Sequence, residues 1–491
     1  MPGSLRVPPP SVCSDFAERG REGGGVAQGL FDLGWLAQAC GGRVAGDASR
    51  SFERFVKDSR EDVRGALYVA LRGERFDGHT FLGAAAAAGA AAALVEEGRF
   101  RPADLAGLPA VVVADAARAL ADAARAHRRR MPAVAIGLTG SCGKTTTKEM
   151  LAAVLRRAGP TLATEGNLNN HIGVPLTLLG LRPEHRFAVV EMGCNHPGEI
   201  AALAAIAEPD VGLITCVAAA HLEGLGTLEG VARAKGELFA ALDRPDAVAV
   251  VNLEDERVAA IPTGRARRLG VGLGPSADVR LELPPHGRGD GSLAIFFPDG
   301  RRARPSIPLP GRHVLLDAGL AAAAAWSVGA PAEAVEVGLS GLSAGRHRGE
   351  ILTSSRGVVL LDDTYNANPG SMRAALAALD EVPGTGRKVA ILGEMLELGE
   401  ATGALHREVG AAAARSGLEL LVCVGPSAGR TAEGARAAGL TEVATFEEVE
   451  ALLPELGRLV RAGDRVLVKG SRGMRMERVV EGILRGAGDA V

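Results

Sequence analysis

A glycine-rich segment at residues 139–146, with the sequence TGSCGKTT, contains the residue types that bind phosphate. Glycines let backbone N–H groups close around phosphate oxygens, and the partial positive charge of a following helix N-terminus attracts the anion. The ammonium of Lys144 would reach the β- and γ-phosphates of a nucleotide, and the hydroxyl of Thr145 would bind Mg²⁺. The candidate nucleotide-binding residues are Gly140, Ser141, Cys142, Gly143, Lys144, Thr145 and Thr146.

The elements on either side of this segment favour the same interpretation. Residues 133–138 form an apolar run that predicts a buried strand, and apolar side chains at helical spacing in 148–155 predict a helix that ends at Gly159. The outer glycine of the usual G-x-x-x-x-G-K-[ST] pattern is replaced by Leu138. The alternative interpretation is therefore a glycine-rich turn that carries a lysine by coincidence.

The composition excludes several classes of protein. The chain has 491 residues, of which 47% are hydrophobic and 23% charged, with a formal net charge of −3. This length allows about two to four domains, and the balance is that of a soluble globular chain. The charge gives no electrostatic case for binding nucleic acid or an anionic membrane. No apolar run reaches the ~18 residues of a membrane span.

The first residues and the cysteines indicate the cellular setting. Residues 1–30 lack the apolar core of a signal peptide, and their proline and glycine triplets predict a mobile, disordered tail. The six cysteines lie far apart, with no C-x-x-C pair. This pattern predicts reduced thiols, a cytoplasmic location and no zinc site. No sequence feature demands assembly, so we expect a monomer.

A first unit is predicted from residue 31 to residue 131. It contains polar clusters at 58–60 and 71–79, each beside short apolar runs. Such clusters are either solvated loops or a binding site for a polar, phosphorylated ligand held through Arg60 and Arg72. The residues alone do not decide between the two.

A second unit, residues 132–344, has apolar runs that lead to polar residues. The run at 187–190 precedes Glu191, the run at 211–215 leads toward His221, and the run at 247–251 precedes Asn252. In an open α/β sheet, ligands bind outside the carboxyl ends of the strands, so these three side chains are expected to converge on the nucleotide. Glu191 would bind Mg²⁺ directly or through water, although alone it could be an ordinary strand-end acid.

Two further features of the second unit have open interpretations. Residues 165–175 contain three asparagines and two glycines, which predict a tight hydrogen-bonded loop with either a structural or a ligand-binding role. Lys235 lies in a helical pattern and, taken by itself, is expected to be a solvated helix lysine.

The third unit, residues 345–491, alternates strands with alanine-rich helical segments. Strands are predicted at 357–361, 388–392, 420–424 and 465–468, and polar clusters follow several of them. The pattern is Rossmann-like, but no G-x-G-x-x-G opens it, so a dinucleotide is not indicated. The polar clusters mark one binding edge.

Six motifs follow one another along the chain: NNHIGVPL at 169–176, EMGCN at 191–195, AHLE at 220–223, DTYNANP at 363–369, LGEM at 392–395 and VKGSRG at 468–473. Together they resemble the motifs of a known family, the Mur ligases, which are ATP-dependent peptide synthetases of bacterial cell-wall assembly. The resemblance covers about residues 31 to 485, and the family's short phosphate loop explains the missing outer glycine. Within the family, the chain is most similar to the member that adds D-alanyl-D-alanine to UDP-N-acetylmuramoyl-tripeptide.

The resemblance implies an α/β fold with three domains: a UDP-sugar-binding domain, a central P-loop ATPase sheet and a C-terminal Rossmann-like domain that closes over the site. It implies that the tripeptide carboxylate attacks the γ-phosphate of ATP, and that the amine of D-alanyl-D-alanine then attacks the acyl phosphate. ATP and two Mg²⁺ ions are the implied cofactors.

The resemblance also assigns roles to residues. Those implied to be catalytic or to bind metal are Lys144, Thr145, Glu191, His221 and Lys235, the last as a carbamylated lysine. Those implied to contact ATP, besides the loop, are Asn252, Asp255, His313, Asp317 and the hinge residue Arg346. Those implied to contact the dipeptide or the reaction intermediate are Asp363, Tyr365, Asn366, Asn368, Lys469 and Ser471, with Asn169 and Asn170 also at the substrate. Those implied to line the UDP end are Asp58, Ser59, Arg60, Arg72, Gly73, Asp77 and His79.

Two segments depart from the family pattern or lead to a specific expectation. The segment at 311–317 has Val314 and Asp317 where asparagines are usual, and Asp317 lacks the amide donor for an adenine contact. Cys142 lies at a predicted helix N-terminus, where a thiol pKa tends to fall. We therefore expect that alkylation of this thiol inactivates the protein and that ATP protects it.

Two classes of alternative remain. One is another ligase of the family: a diaminopimelate- or lysine-adding enzyme, a glutamate-adding muramoyl ligase or a folylpolyglutamate synthase. The diaminopimelate-adding member typically has Asp-Asn-Pro-Arg where this chain has residues 366–369, NANP, which disfavours it. The other alternative is a non-catalytic P-loop module in which the nucleotide only switches conformation.

Overall fold

The structure of the protein is a computed structural model that describes residues 31–73, 76–284 and 293–486. The expected tail at residues 1–30 lies outside the described residues. Within the described ranges, no helix is both long and apolar enough to cross a membrane.

The first part of the described chain forms a small mixed sheet. Its elements are β1 (Phe31–Asp32), α1 (Leu33–Cys40), β2 (Arg43–Ala45), β3 (Ser51–Phe52), β4 (Phe55–Val56), β5 (Leu67–Val69), α2 (Leu82–Ala87), β6 (Ala92–Glu96), β7 (Ala110–Val113) and α3 (Ala116–Arg130), with 3₁₀ turns at Gly78–Phe81 and Pro102–Leu105. The sheet order is β2-β7-β6-β5-β4, and β1 pairs separately with β3. β5 and β7 are buried along their whole length because both faces of the sheet are covered.

The central part is a nine-stranded sheet with helices on both faces. Its elements are β8 (Val134–Thr139), α4 (Lys144–Ala158), β9 (Thr161–Ala163), α5 (Gly173–Leu179), β10 (Phe187–Glu191), α6 (Glu199–Ala207), β11 (Val211–Ile214), α7 (Leu222–Leu225), α8 (Leu228–Ala240), β12 (Val248–Asn252), α9 (Glu256–Ala260), β13 (Arg267–Gly272), β14 (Val279–Glu282), β15 (Ala294–Phe296), β16 (Arg302–Ala303), α10 (Arg312–Ser327) and α11 (Ala332–Ser340). The order is β16-β15-β14-β13-β12-β11-β8-β10-β9, and neighbouring strands are parallel except in the pairs β14–β15 and β15–β16, so only β15 runs against the others.

The strand order of the central sheet places its binding edge. From β8 the chain adds β9 and β10 on one side and β11 to β13 on the other. The register pairs Glu191 with Leu138, and Ile214 with Thr139, so three strands end at the same level. A ligand is expected at such a switch point, outside the carboxyl ends of the strands.

The last part is a six-stranded sheet. Its elements are β17 (Glu350–Thr353), β18 (Val359–Asp363), α12 (Pro369–Ala378), β19 (Lys388–Leu392), α13 (Thr402–Arg415), β20 (Leu420–Val424), α14 (Ala428–Ala437), β21 (Val443–Phe446), α15 (Val449–Leu452), α16 (Leu456–Leu459), β22 (Arg465–Lys469) and α17 (Glu477–Leu484), with 3₁₀ turns at Leu379–Glu381, Gly399–Ala401, Leu453–Glu455 and Arg472–Met474. The order is β17-β18-β22-β19-β20-β21, and only β17 is antiparallel. Asp363 pairs with Lys469 at the carboxyl edge.

The α/β prediction is confirmed, with differences of detail. The helix after the glycine-rich segment begins at Lys144, four residues earlier than its apolar pattern, because polar residues of the loop form its first turn. The strands β13 to β16 extend the central sheet beyond the runs that the sequence pattern identified. The domain boundaries at residues 131 and 344 stay predictions.

Candidate active site

One cavity of about 680 Å³ lies between the binding edges of the central and third sheets. The predicted residues that line it are Ser141, Cys142, Gly143, Lys144, Thr145, Thr146, Asn169, Asn170, Glu191, His221, Asn252, His313, Asp317, Asp363, Tyr365, Asn366, Asn368 and Lys469. Those that are not among its lining residues are Gly140, Asp255, Arg346, Lys235, Ser471 and the predicted UDP-end residues. The fold therefore brings together most of the residues that the sequence assigned to ATP and the dipeptide.

The glycine-rich segment forms the turn between β8 and α4. Gly143 caps the helix with φ of 78°, a left-handed conformation that a side chain disfavours. The Lys144 ammonium folds back to donate to the Gly140 carbonyl over 2.7 Å. The Ser141 N–H donates to the Cys216 carbonyl over 2.9 Å, which ties the loop to the end of β11. The turn leaves the first N–H groups of α4 directed at the cavity, as anion binding at a helix N-terminus requires.

Lys144 lies in an unusual electrostatic setting. Burial, followed by the positive charge of Lys235, lowers the pKa of its ammonium group. Both effects penalise the buried cation, and the nearby Glu191 charge opposes them only in part. A polyphosphate beside Lys144 would remove that penalty.

Glu191 is positioned by residues from two other segments. Its carboxylate is only 2% exposed. One carboxylate oxygen accepts from the Thr145 hydroxyl over 2.9 Å, and the other accepts from the Asn169 amide over 2.8 Å. The loop at 165–175 therefore orients the strand-end acid. Asn170 has a different task, since its side-chain oxygen accepts from the N–H groups of Ile172 and Gly173 at the start of α5.

The residues present fit one Mg²⁺ ion. Thr145 supplies a hydroxyl and Glu191 a carboxylate in contact with each other, and Mg²⁺ in nucleotide sites is completed by phosphates and water. The described residues contain no cluster of three or more His, Cys, Asp or Glu side chains able to hold a metal. A second ion would need a further anionic ligand, which an unmodified lysine cannot provide.

The expectation that Lys235 is a solvated helix lysine is wrong. Its side chain is 1% exposed, on the face of α8 that packs against the sheet. Its ammonium donates to the Cys194 sulfur over 2.9 Å. Helical spacing did not reveal this burial, because Lys235 occupies a core-facing position that is normally apolar. Whether it is carbamylated stays a prediction.

His221 joins the central and third sheets. It adopts φ of 54°, and its ring contacts the carboxylate of Glu397, which also has a positive φ, 63°. Burial lowers the pKa of the His221 imidazole, and the Glu397 charge opposes that shift. Sequence reasoning missed Glu397, whose partner lies 176 residues away.

Some of the predicted ATP residues line the cavity, and others hold the segments beside it in place. Asn252 is 7% exposed and donates to the Thr215 carbonyl over 2.7 Å. Asp255 caps α9 and accepts from the Val217 N–H over 2.8 Å, so it braces the segment after β11. Burial lowers the pKa of His313.

Asp317, the departure from the family asparagine, lies on α10 beside Gly143. Burial, with a smaller contribution from Cys216, raises the pKa of its carboxyl well above the usual range. A protonated carboxyl has both an O–H donor and an acceptor oxygen. This protonation would restore the donor that the replacement of an amide removes.

The edge of the third sheet presents a compact polar group to the cavity. The Lys469 ammonium donates to the Asp363 carboxylate over 2.5 Å and to the Asn366 carbonyl over 2.9 Å. Asn368 caps α12, and its amide donates to the Ser141 carbonyl over 3.3 Å. The third sheet therefore contacts the phosphate loop itself. Ser471 is buried behind this edge and accepts from the Leu396 N–H over 2.9 Å.

The hinge segment places a neighbour of the predicted arginine at the cavity. Arg346 is exposed and does not line it. The guanidinium of Arg348 stacks 3.5 Å from the centre of the Tyr365 ring, and His347 contacts the Asp362 carboxylate over 2.8 Å. Arg348 was missed because sequence spacing does not show which of two nearby arginines faces a ring.

The predicted UDP-end residues lie on the first sheet, away from this cavity. Arg60 pairs with Asp58 over 2.6 Å and is largely exposed. Asp77 caps the turn at Gly78–Phe81 and contacts the His79 ring over 2.6 Å. The other ring nitrogen of His79 accepts from the Glu96 N–H over 2.9 Å. His79 is thus engaged between the loop and β6, whereas the guanidinium of Arg60 faces solvent.

The expected low pKa of Cys142 is wrong. The sulfur of Cys142 lies 2.7 Å from that of Cys216. This hydrogen bond, followed by burial, raises the pKa of the Cys142 thiol well above its usual value. The helix N-terminus is outweighed by a partner 74 residues away in the sequence. Rapid alkylation at neutral pH is therefore not expected of Cys142.

The fold and the cavity define a three-part nucleotide-binding enzyme. Three family profiles match the chain: "Mur ligase family, catalytic domain" at residues 57–128, "Mur ligase middle domain" at 138–325 and "Mur ligase, glutamate ligase domain" at 347–472. The chain belongs to the Mur ligase family and has its three-domain architecture.

Individual relatives give a closer comparison. The chain is 39% identical, over 92% of its length and 98% of the relative's, to a protein of Escherichia coli strain K12 named UDP-N-acetylmuramoyl-tripeptide–D-alanyl-D-alanine ligase. A crystal structure of MurF from Acinetobacter baumannii is similar with a TM-score of 0.82 and 33% identity, covering 93% of this chain and 99% of that one. MurF ligase from Thermotoga maritima in complex with ADP is similar with a TM-score of 0.75 and 29% identity, covering 88% and 97%.

Proposed function

We propose that this protein joins D-alanyl-D-alanine to the tripeptide carboxylate of UDP-N-acetylmuramoyl-tripeptide and converts ATP to ADP and phosphate. The proposed step belongs to the synthesis of the peptidoglycan precursor. Relatives that span nearly the whole chain carry this name, and one of them is described with ADP. The diaminopimelate-adding and switch-module alternatives are not favoured by these comparisons.

One observation supports the proposal most strongly. A single cavity contains the phosphate loop of the central sheet and the polar edge of the third sheet. A ligase must bring a phosphorylated carboxylate and an attacking amine together, so it needs an anion site and an amine site facing each other. A module that only binds nucleotide would not need the second site.

At the ATP end, the chain supplies fixed positive charge. The N–H groups at the start of α4 bind phosphate oxygens, and Lys144 leaves the Gly140 carbonyl to reach the β- and γ-phosphates. Asn252, His313 and Asp317 line the part of the cavity proposed for the nucleoside. These contacts hold the γ-phosphate in line with the incoming carboxylate.

The first reaction step is limited by charge repulsion. A carboxylate oxygen forms a bond to the γ-phosphorus while the bond to ADP breaks, and both reactants are anionic. Mg²⁺ held by Thr145 and Glu191, and by His221 with a carbamylated Lys235 for a second ion, would neutralise phosphate charge. Asn169 keeps Glu191 aligned for that role. Alignment and neutralisation lower the barrier without covalent participation of the protein.

The second step takes place at the third sheet. The dipeptide's ammonium loses a proton to solvent to give the amine, which attacks the acyl carbon; the tetrahedral intermediate then releases phosphate and a second proton to give the amide. Asp363 is positioned to attract the dipeptide's ammonium, while Arg348 and Lys469 offer positive charge to its carboxylate. The side-chain amide of Asn368 donates to the Ser141 carbonyl of the phosphate loop and thereby positions the third sheet relative to that loop. The UDP end is proposed to lie on the first sheet, at Ser59, Arg60 and Arg72.

Phosphate release from Mg-ATP tests this function. We expect release that requires both UDP-N-acetylmuramoyl-tripeptide and D-alanyl-D-alanine, with a UDP-N-acetylmuramoyl-pentapeptide detected by mass spectrometry. Release with UDP-N-acetylmuramoyl-dipeptide and a diamino acid instead would move the protein to the neighbouring ligase step. Release that is indifferent to every acceptor and amine would contradict ligation and favour a nucleotide switch.

A further inference from the structure

Two cysteines meet at the phosphate loop. Cys142 lies within the loop, and Cys216 follows β11, yet their sulfur atoms are 2.7 Å apart. A disulfide bond has a sulfur–sulfur length of ~2.05 Å. The two thiols therefore need only a small movement to become covalently linked.

The backbone around the pair is already aligned. The Ser141 N–H donates to the Cys216 carbonyl over 2.9 Å, and the Thr215 hydroxyl donates to the Cys142 carbonyl over 2.5 Å. These contacts fix the loop and the end of β11 side by side. A new bond between the sulfurs would add to an existing pairing rather than force two separate segments together.

The pair is also accessible. Both cysteines are partly exposed and line the cavity that we assign to ATP, so a small oxidant in solution reaches them. Cys194 and Cys423 are buried, and Cys40 lies on the first sheet's helix α1, where its thiol donates to the Leu36 carbonyl. Among the described cysteines, Cys142 and Cys216 are thus distinguished by proximity and access together.

The two thiols are chemically unequal. The hydrogen bond between the two sulfurs is the main influence on both groups: it lowers the pKa of the Cys216 thiol and raises the pKa of the Cys142 thiol. In such a coupled pair the first proton leaves more easily than the second. Cys216 therefore supplies the thiolate, which is the nucleophilic form of cysteine.

We propose that Cys142 and Cys216 form a reversible disulfide in the presence of a hydroperoxide and that this bond switches off nucleotide binding. The Cys216 thiolate attacks a peroxide oxygen; a sulfur–oxygen bond forms, the oxygen–oxygen bond breaks, and the leaving hydroxide is protonated to water. The Cys142 sulfur then displaces hydroxide from the sulfenic acid and releases its own proton, which completes a second water. Two thiols and one hydrogen peroxide give one disulfide and two waters, and a dithiol reverses the change.

The effect on the site follows from the position of Cys142. Its backbone belongs to the loop whose N–H groups close around phosphate. A bond to Cys216 holds that segment against β11 and prevents the loop from adjusting to the anion. We expect ATP affinity to fall about tenfold or more, which corresponds to the loss of one hydrogen bond to a charged group.

Peptide mapping tests the bond itself, independently of the proposed ligase reaction. The full-length protein is treated with hydrogen peroxide, the excess is removed with catalase, and free thiols are blocked before digestion. We expect a linked pair of peptides that contain Cys142 and Cys216 and that lack two hydrogen atoms relative to the reduced pair. Dithiothreitol should separate them. Peroxide treatment that leaves both thiols free, or carries either one to an irreversible acid without the link, would overturn the proposal.

Nucleotide binding tests the consequence. A fluorescent ATP analogue is titrated into reduced, oxidised and re-reduced protein. We expect weaker binding only in the oxidised sample, and no peroxide effect in Cys216→Ser, whereas Cys40→Ser should respond like the native chain. Oxidised protein that contains the disulfide and binds with unchanged affinity would contradict the switch.

The effect of peroxide on dipeptide-dependent phosphate release rests on the proposed function, so it is measured last. Peroxide should reduce dipeptide-dependent phosphate release reversibly in the native chain but not in Cys216→Ser. If no ligation is detected in reduced protein, the proposed function fails, while the mapped disulfide and the binding titration still decide the switch.

Discussion

The central sheet meets the first sheet and the third sheet through very different surfaces. Toward the first sheet, a continuous apolar core runs from Phe31 and Leu120 to Val174 and Leu203. Arg128 on α3 crosses this surface to Asp210, over 3.1 Å, and both side chains are almost fully buried. The Asp210 carboxylate also accepts from the Ala135 N–H over 2.8 Å. The two sheets share one interior.

Toward the third sheet, the contacts are polar and few. The connections across this surface include His221 to Glu397, Asn368 to Ser141, and the Gly311 N–H to the Glu381 carboxylate over 2.8 Å. In the described ranges, no apolar core cluster includes residues of both sheets. The cavity of the proposed site occupies this surface.

The difference indicates that one surface is rigid and the other can open. An apolar interior with buried, paired charges resists separation, because opening it exposes both to water at a high cost. A polar surface with exposed ion pairs opens at little cost, since water replaces the lost hydrogen bonds. We infer that the first and central sheets form a fixed platform and that the third sheet opens and closes over ATP and the dipeptide.

The largest predicted effect concerns the polar surface between the central and third sheets, which we call the open surface. Lys144→Ala should lower the turnover of dipeptide-dependent phosphate release by about a thousandfold or more, because the γ-phosphate loses its nearest fixed charge. The thermal unfolding midpoint should barely change, since Lys144 is the first residue of α4 and its ammonium bonds the Gly140 carbonyl of the same loop. Arg157→Ala, an exposed change in the last turn of the same helix, is the matched control. Undiminished ligation by Lys144→Ala would remove the loop from the mechanism.

A change at the apolar surface between the first and central sheets, which we call the closed surface, should act on stability instead. Arg128→Met removes one partner of buried Asp210, which keeps Arg244 at 2.5 Å. We expect a loss of about 3 kcal/mol in the free energy of unfolding, measured with urea, because a buried charge becomes less well paired. Arg125→Met, at an exposed pair with Glu208, should cost under ~1 kcal/mol. Equal costs for the two variants would show that the surface is not closed.

The closed surface should also respond to pH. His127 is fully buried there, with its Nε2 3.0 Å from the Leu181 carbonyl, and burial lowers its pKa from 6.5 to about 4. Between these two pH values the unfolded chain binds a proton that the native chain does not. The contribution of His127 to the free energy of unfolding is therefore fully present above pH 6.5 and is lost as the pH falls toward 4. The expected loss is about 3 kcal/mol.

His127→Gln isolates this contribution, because glutamine can still donate to the carbonyl but does not titrate. Its urea unfolding free energy should fall less steeply than that of the native chain over the same acidic range. Parallel pH profiles would mean that His127 takes up a proton in the folded state.

The smallest effect on stability is expected at the open surface. Glu397→Ala removes the carboxylate that contacts His221, where the two side chains are 50% and 25% exposed. We expect a change under ~1 kcal/mol in the unfolding free energy, since solvent screens such pairs. A loss as large as that of Arg128→Met would erase the distinction between the surfaces.

The sequence predicted those features that depend on neighbouring residues. The loop at 139–146, the strand-end position of Glu191 and the third-sheet strands all follow from local patterns of glycine, apolar and polar residues. It could not predict contacts between distant segments. The burial of Lys235, the Cys216 partner of Cys142 and the Glu397 partner of His221 depend on how sheets and helices pack, and each opposed or extended a local expectation.

Hydrogen-exchange mass spectrometry on the full chain tests the central claim most directly. Amide exchange is compared with and without a non-hydrolysable ATP analogue, Mg²⁺ and UDP-N-acetylmuramoyl-tripeptide. The two-surface account predicts slower exchange in peptides that cover 363–371 and 394–399 when the ligands are present, and already slow, unchanged exchange along α3 at Ala116–Arg130. Ligand-dependent exchange along α3, with none at the third sheet's edge, would contradict it.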